Sequence, residues 1–516
     1  MASTLRMPPR YILACVGTSL GSLLNGYDTG SIGALTQIPQ FRSSIGELSA
    51  TVLGITVSMI MLTGILPSVF TSHIADKLGR LPVIAVGAIL FGTGALLQGT
   101  ASTLAQLLVG RSVSGFGQGV FLSNGSVYIT EVALTRHRGA LSGLTQFMAV
   151  AGIVLGYFTC YSSVRISSDW AWRIPFVVQC FISIALTVSC WAFPDSPRWL
   201  QMQGQTQKAR EAVQILQLDM VEAERDILNT TPQIDSLSPW QGFSLLFRRT
   251  YRTRTMLALF ILGMVQLSGI DAVIYYAPTL FAKAGLSSNS ASFLASGVSG
   301  ILMFTISVPG FLFADKWGRR TSVISGGVIL SSSMFFMGSL YAAGVVHADG
   351  VARWFVILAV FVFGLTYSVT WGIVGKIYAS EIQPSNTRAA ANCVAQGLSF
   401  FTNWLVSLLA PILLEASSFA AYFLFGTLAF ETVIVLAAYM PETRGRTLED
   451  IQEAFHRPAL STLTSSLERI IPLRRRHAAL AGEPIEMEPR EPAASAAASA
   501  VSVEAAARSL RLEMTA

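Results

Sequence analysis

The chain alternates between long apolar runs and short polar segments. Twelve of the runs reach about 20 residues or more, which is enough for a helix to cross the roughly 30 Å hydrocarbon core of a bilayer. The first six fall near residues 11–35, 50–72, 82–101, 104–130, 139–162 and 172–193, and the second six near 254–283, 290–314, 321–345, 351–380, 389–414 and 419–440. The pattern predicts an all-α integral membrane protein with twelve transmembrane helices.

The polar segments divide this pattern into domains. Residues 194–253 carry too much charge to span a membrane and include helix formers such as QTQKAREAVQILQ, so they predict a cytoplasmic helical linker between two six-helix bundles, 11–193 and 254–440. Residues 1–10 are expected to form a short cytoplasmic N-terminus. Residues 441–516 are expected to form a cytoplasmic tail, mostly disordered after about residue 456, where Ala, Ser and Pro dominate.

Composition and charge support the membrane prediction. The chain is 52% hydrophobic and only 12% charged, whereas soluble domains carry about 25% charged residues. The net charge of +6 does not indicate a nucleic-acid partner, because the basic residues sit in short segments between apolar runs. Lys and Arg concentrate in alternate loops and in the linker, which predicts that both termini are cytoplasmic. The lipid bilayer is thus the first expected partner.

The two halves of the chain repeat one another. ADKLGR around Asp76 recurs as ADKWGR around Asp315, an offset of 315 − 76 = 239. YITEVALTRHRGA recurs as YASEIQPSNTRAA, so that Glu131 and Arg138 map onto Glu381 and Arg388, each 250 residues later. Duplicated six-helix halves place a substrate site at their interface in many transporters.

With the motifs GYDTG at 26–30, PDSPRWL from 194, QLSGIDAVIYYAP from 266 and PETRGRTLE from 441, the chain resembles the sugar porters of the major facilitator superfamily. The likeness covers about residues 11–455 and is to fungal hexose and polyol transporters in particular. It implies two pseudo-symmetric six-helix bundles and uptake of a sugar or polyol across the plasma membrane by alternating access, with protons as a second partner. A facilitative uniporter, an exporter of a small secondary metabolite and a transporter-like nutrient sensor remain alternatives.

Eight charged residues in the repeated loops are candidates for conformational gating. Opposite charges at the ends of neighbouring helices are expected to hold the cytoplasmic side closed until the halves rock. The alternative is that they only set topology and turns. The residues are Asp76, Arg80, Glu131, Arg138, Asp315, Arg319, Glu381 and Arg388.

Asp28, in the first span, is the most informative single residue. A carboxylate inside a membrane helix costs at least about 2.5 kcal/mol unless it is paired, protonated or hydrated. Arg111 in the fourth span is the natural partner, and a motion that separates the pair would let Asp28 load and release a proton. The resemblance favours proton symport through this pair, with a static ion pair as the alternative.

The resemblance also implies a substrate site near the membrane midplane. Gln146, Gln266 and Asn403 match or fit positions that contact sugar, and Tyr275 and Tyr276 match aromatics near the outer gate. Each could instead hydrogen-bond between helices.

Two charged residues depart from the family pattern and are added to the substrate-site candidates. Asp271 stands where the family has an asparagine, and Lys376 stands in place of the tenth-span tryptophan, while Met303 replaces an asparagine. Asp271 is expected to accept hydrogen bonds from hydroxyls and to favour neutral compounds over acids. Lys376 either faces the substrate or extends to the cytoplasmic interface.

The sequence predicts no enzyme, cofactor or metal site. It contains no nucleotide-binding loop, metal-ligand spacing or hydrolytic triad, and its five cysteines all fall inside apolar runs. Transport is therefore expected to depend on gradients alone.

Overall fold

A computed structural model describes residues 9–133, 138–228, 246–248, 251–286, 289–313, 317–347, 350–383 and 385–443. The helices in these ranges belong to one compact unit. Each of the twelve predicted spans is occupied by helix. The tail beyond residue 443, including the predicted disordered segment, lies outside the described residues.

The first half contains six long helices, which we call spans 1 to 6. In chain order they are Arg10–Leu35, Ala50–Leu78, Arg80–Gly99, Leu104–Val132, Arg138–Ser163 and Trp170–Ala192. A short helix, Pro39–Ile45, follows the first. Short helices then occupy part of the predicted linker, at Pro197–Met202, Thr206–Ile215 and Met220–Ala223, followed by a π-helical turn at Glu224–Leu228.

The second half contains spans 7 to 12, two of which are interrupted. Span 7 consists of Arg252–Leu267, Ile270–Tyr275 and Ala277–Lys283, and span 10 of Ala352–Val369, a π-helical turn at Trp371–Gly375 and Lys376–Glu381. The continuous spans 8, 9, 11 and 12 are Asn289–Phe313, Arg319–Ala342, Ser385–Ala416 and Ala420–Tyr439.

Hydropathy alone identifies nine membrane-crossing helices in the described part of the chain. The long helices that it does not select are spans 1, 4 and 8. Spans 1 and 4 carry Asp28 and Arg111 and are rich in glycine and hydroxyl residues, many of them buried against other helices. Such helices need less apolar side-chain surface, because they face protein more than lipid.

The interruptions in spans 7 and 10 have visible backbone causes. Gly269 adopts φ +87°, a left-handed conformation that suits glycine, and the helix restarts at Ile270. In span 10, Thr370 has φ −108° and ψ −83°, and the π-helical turn follows it. Discontinuous membrane helices are the elements that form substrate sites in transporters.

The halves meet along two pairs of neighbouring spans, span 2 with span 11 and span 5 with span 8. Spans 1 and 7 also touch, at Gly33. A Cβ built on Gly33 would lie 1.6 Å from the backbone oxygen of Tyr275. The linker end of span 1 is fixed by Tyr11, whose N–H donates to the Leu216 carbonyl at 2.9 Å. Gly33 is near the other end of that helix, so spans 1 and 7 close on the face opposite the linker.

Candidate substrate and coupling site

A buried ion pair lies inside the first half. Arg111 Nη1 and Nη2 donate to Asp28 Oδ1 and Oδ2, each at 3.2 Å, and the two residues are 0% and 1% exposed. Arg111 Nη2 also donates to the Val57 carbonyl at 2.8 Å. The two-point geometry fits a carboxylate to the guanidinium fork. The structure thus brings together the two residues predicted for proton coupling.

Gln179 is a third member of this group. Its Nε2 donates to Asp28 Oδ1 at 3.2 Å, and it is 1% exposed in span 6. The group therefore ties spans 1, 2, 4 and 6 together within one half. Gln179 was not predicted from the sequence, although a lone amide inside the apolar run 172–193 is a usable signal. Removing one partner of such a buried pair costs about 3–5 kcal/mol when the other stays charged.

The second half carries a different buried carboxylate. Asp271, 7% exposed, is the second residue after the break in span 7. Its carboxylate interacts with the Asn403 side chain in span 11, while Oδ2 has no hydrogen-bond partner among the described residues. Asn403 Oδ1 in turn accepts a hydrogen bond from Ser407 Oγ at 3.0 Å. The predicted contacts Asp271 and Asn403 therefore lie together on two facing spans.

Lys376 joins the two halves across the space between them. Its Nζ donates to Gln146 Oε1 at 2.8 Å, from span 10 to span 5. The Lys376 side chain is exposed and Gln146 is partly exposed, so both line an open space. Lys376 also interacts electrostatically with Asp271. In this structure the ammonium points to Gln146, so the alternative in which it extends to the cytoplasmic interface is not the one observed.

Aromatic hydroxyls surround the same region. Tyr367 Oη donates to Gln266 Oε1 at 3.4 Å, and Gln266 is partly exposed. Tyr275 is fully buried, with its Oη 3.5 Å from Thr29 Oγ1, and Tyr276 donates to the Ser407 carbonyl at 2.9 Å. Both tyrosines are therefore part of the packed contact near spans 1 and 7, on the face opposite the linker.

An apolar cavity of about 20 Å³ lies between spans 5, 7, 8 and 10, and Tyr157, Met303 and Phe361 contribute to its wall. This volume holds about one water molecule. The cavity therefore does not accommodate a sugar in this conformation. Met303, which replaces a family asparagine, contributes an apolar wall here.

On the linker face, three of the predicted gating residues form one cluster. Arg80 Nη1 lies 2.7 Å from Asp76 Oδ1, and Arg80 Nη2 lies 3.1 Å from Glu131 Oε1. Arg80 is 3% exposed. All three residues belong to the first half, so the cluster ties spans 2, 3 and 4 to each other.

Of the other predicted gating residues, only Arg319 has a side chain within the described part of the structure. Arg319 lies at the start of span 9 and is 7% exposed. Asp315 lies outside the described residues. The backbones of Arg138, Glu381 and Arg388 lie in helices, but their side chains are outside the described part.

Known proteins resemble this chain along most of its length. The model of the family described as "Sugar (and other) transporter" matches residues 14–455. The chain belongs to the sugar (and other) transporter family. The glucose transporter GlcP of Staphylococcus epidermidis is similar to this transporter at 31% identity over 86% of this chain and 96% of its own length. The high-affinity glucose transporter 1 of Candida albicans is 25% identical over 90% of this chain and 89% of its own length.

Solved structures agree with the fold of the transporter. The proton:xylose symporter XylE bound to 6-bromo-6-deoxy-D-glucose matches with a TM-score of 0.72 at 22% identity, covering 86% of this chain and 99% of that one. The inward-open xylose transporter XylE from E. coli matches with a TM-score of 0.70 at 21% identity, covering 86% and 99%. The prediction of an all-α membrane transporter of the major facilitator fold, and not an enzyme, is confirmed.

Two further carboxylates cap the third and ninth spans of the transporter. They were not predicted from the sequence. The Arg80 N–H donates to Asp195 Oδ1 at 3.1 Å, and the Arg319 N–H donates to Glu442 Oε1 at 2.8 Å. They are separated by 442 − 195 = 247 residues, close to the repeat offset. Asp195 lies in PDSPR and Glu442 in PETRG, so the motifs contained the signal. Burial raises the pKa of the Asp195 carboxyl, although its hydrogen bonds with N–H groups oppose that rise.

We predict that Asp195→Ala lowers the thermal stability of the detergent-solubilised transporter. The variant removes the acceptor at the start of span 3, and loss of a helix cap costs about 0.5–2 kcal/mol. Asp219→Ala is the matched control. Asp219 caps a four-residue linker helix by accepting from the Val221 N–H at 2.9 Å. Equal unfolding midpoints for the two variants would show that the Asp195 cap carries no special stability.

Proposed function

We propose that this transporter takes up a sugar or a related polyol with protons, by alternating access across the plasma membrane, with both termini cytoplasmic. The observation that carries the proposal is the buried, two-point Asp28–Arg111 pair in the first half. It supplies a carboxylate whose charge is balanced only while Arg111 remains in place. Relatives named as glucose transporters and a structural neighbour named as a proton:xylose symporter support the same assignment.

The geometry of the pair supports a proton step. Ionised Asp28 accepts two hydrogen bonds from Arg111 and one from Gln179. A proton on Asp28 cancels its charge, weakens the attraction to Arg111 and releases spans 1 and 4 from one another. Each proton therefore changes how firmly the helices of the first half are tied, and this half carries Gln146 on span 5.

The substrate step involves the polar groups between the halves. Gln146, Gln266 and Asn403 provide amide groups, which can both donate to and accept from carbohydrate hydroxyls. They lie on spans 5, 7 and 11, and so on both halves. A solute bound to both would stabilise the arrangement in which spans 1 and 7 are closed at Gly33 and Tyr275. We assign the charge cluster around Arg80, whose members all belong to the first half, to holding the linker-face ends of spans 2, 3 and 4 together while the halves rock.

Uptake into proteoliposomes tests the proposal directly. With labelled glucose, xylose, sorbitol and gluconate offered singly, at least one compound should accumulate above its external concentration when the outside is acidic. A protonophore should abolish the accumulation. Equilibration without accumulation for every compound would identify a facilitator instead, and the absence of any flux would remove the assignment to sugars and polyols.

A further inference from the structure

The ammonium group of Lys376 stands in the space where the two halves face each other. Its side chain is exposed, yet its hydrogen bond to Gln146 and its interaction with Asp271 place it between spans 5, 7 and 10. It therefore lines the interior and does not lie at a lipid-facing surface. A solute that enters between the halves meets this positive charge.

The charge of Lys376 is only partly compensated. An ammonium group has three N–H donors, and in the described part of the chain one of them reaches Gln146, a neutral acceptor. The ion pairs of 4 Å or less that join described residues do not include Lys376. Asp271 interacts with it from a greater distance and is itself almost fully buried. A charged group at membrane depth is costly unless it is paired or hydrated, which makes a functional role the default expectation.

Asp271 and Lys376 differ in what they offer to a solute. Asp271 is 7% exposed and is engaged by Asn403, so it lies behind the surface that Lys376 presents. Its Oδ2 is buried and has no described hydrogen-bond partner. A single cation in front, with one carboxylate behind it, suits a ligand that bears one negative charge and several hydroxyl groups.

We infer that Lys376 binds the carboxylate of a polyhydroxylated monocarboxylate, such as an aldonic or uronic acid, as the substrate of this transporter. The inference rests on the proposed function and specifies its substrate as a polyol that carries one acidic group. It reverses the expectation from the sequence that Asp271 makes the site prefer neutral compounds, because that expectation left open whether the Lys376 ammonium faces the site. The charge-assisted bond from Lys376 would replace the one to Gln146, and Gln146 would then be free for substrate hydroxyls.

A second carboxylate on the ligand would be disfavoured. Asp271 lies near Lys376, and a dianion would leave one charge uncompensated beside that carboxylate. Gluconate and glucuronate are therefore suitable probes, whereas glucarate, with two carboxylates, should compete more weakly.

The test compares uptake of labelled gluconate and glucuronate with that of glucose and sorbitol by the full-length protein in proteoliposomes. We expect the wild-type protein to prefer the acids. Lys376→Met should lower the ratio of acid to neutral uptake by about tenfold or more, since a charge-assisted hydrogen bond contributes about 1.5–3 kcal/mol. Lys376→Arg keeps the charge and should retain more of the preference than Lys376→Met.

Lys283→Met is the matched control. Lys283 ends span 7 and donates to the Leu414 carbonyl at 2.6 Å, so the variant loses the same charge outside the site and should keep the wild-type ratio. If Lys376→Met is inactive with every compound, the inference is tested by gluconate binding to the solubilised wild-type protein. Gluconate should raise the unfolding temperature of that protein, and glucose should not.

The outcomes separate the inference from the proposed function. A wild-type protein that accumulates glucose or sorbitol but neither transports nor binds gluconate and glucuronate would overturn the inference and leave the function standing. An unchanged acid-to-neutral ratio in Lys376→Met would also overturn it. Failure to move any of the four compounds would instead remove the proposed function.

Discussion

Replacing Asp28 by Asn should abolish proton-driven accumulation while sparing exchange of substrate across the membrane. Asn has nearly the shape of a protonated Asp, so the helices can rock, but it can neither take up nor release a proton. It also cannot form the two-point ion pair with Arg111, whose guanidinium lies 3.2 Å from both carboxylate oxygens in the structure. Uphill transport requires that proton, whereas exchange of labelled for unlabelled substrate does not.

The measurement is uptake into proteoliposomes with and without a pH gradient, together with counterflow of preloaded substrate. Asp169→Asn is the matched control, because Asp169 is an exposed carboxylate at the start of span 6, 3.9 Å from Arg173. It should accumulate substrate as the wild type does. Undiminished accumulation by Asp28→Asn would show that Asp28 and Arg111 form a static pair and that the proton is carried elsewhere.

Replacing Gly33 by Ala should block closure on the face opposite the linker and reduce uptake by about tenfold or more. The added Cβ would lie 1.6 Å from the Tyr275 carbonyl oxygen. Since that oxygen belongs to the backbone, spans 1 and 7 must move apart. Overpacking of this kind costs about 1–3 kcal/mol, and the cost falls only on states in which the two spans touch. The equilibrium therefore shifts toward the arrangement that is open on this face.

Gly125→Ala provides the control for a glycine in a membrane helix. A Cβ on Gly125 would approach no closer than 3.9 Å to a neighbouring atom, the Thr18 carbonyl oxygen. That variant should transport normally. For Gly33→Ala, labelling of cysteines introduced on the face opposite the linker should increase. Wild-type labelling together with wild-type uptake would mean that spans 1 and 7 need not touch during transport.

The sequence by itself determined the spans and the repeat. Both depend on quantities that are local to the chain, since a bilayer requires about 20 apolar residues per crossing helix, and the repeated loops are read by direct comparison. It also indicated Asp28 and Arg111 as partners, because charged residues inside apolar runs are costly and rare. The break in span 7, which the structure shows, also has a local cause, since Gly269 adopts a backbone conformation that other residues avoid.

Only the tertiary structure decided which polar groups meet across the spans. These contacts join residues that are 115 to 230 positions apart in the chain: Gln179 with Asp28, Lys376 with Gln146, Asp195 with Arg80, and Glu442 with Arg319. Hydropathy fixes neither the rotation of a membrane helix about its axis nor the direction of a long side chain. Lys376 shows the consequence: the sequence allowed it to reach the interface or the substrate space, and packing of span 10 against span 5 placed its ammonium on Gln146.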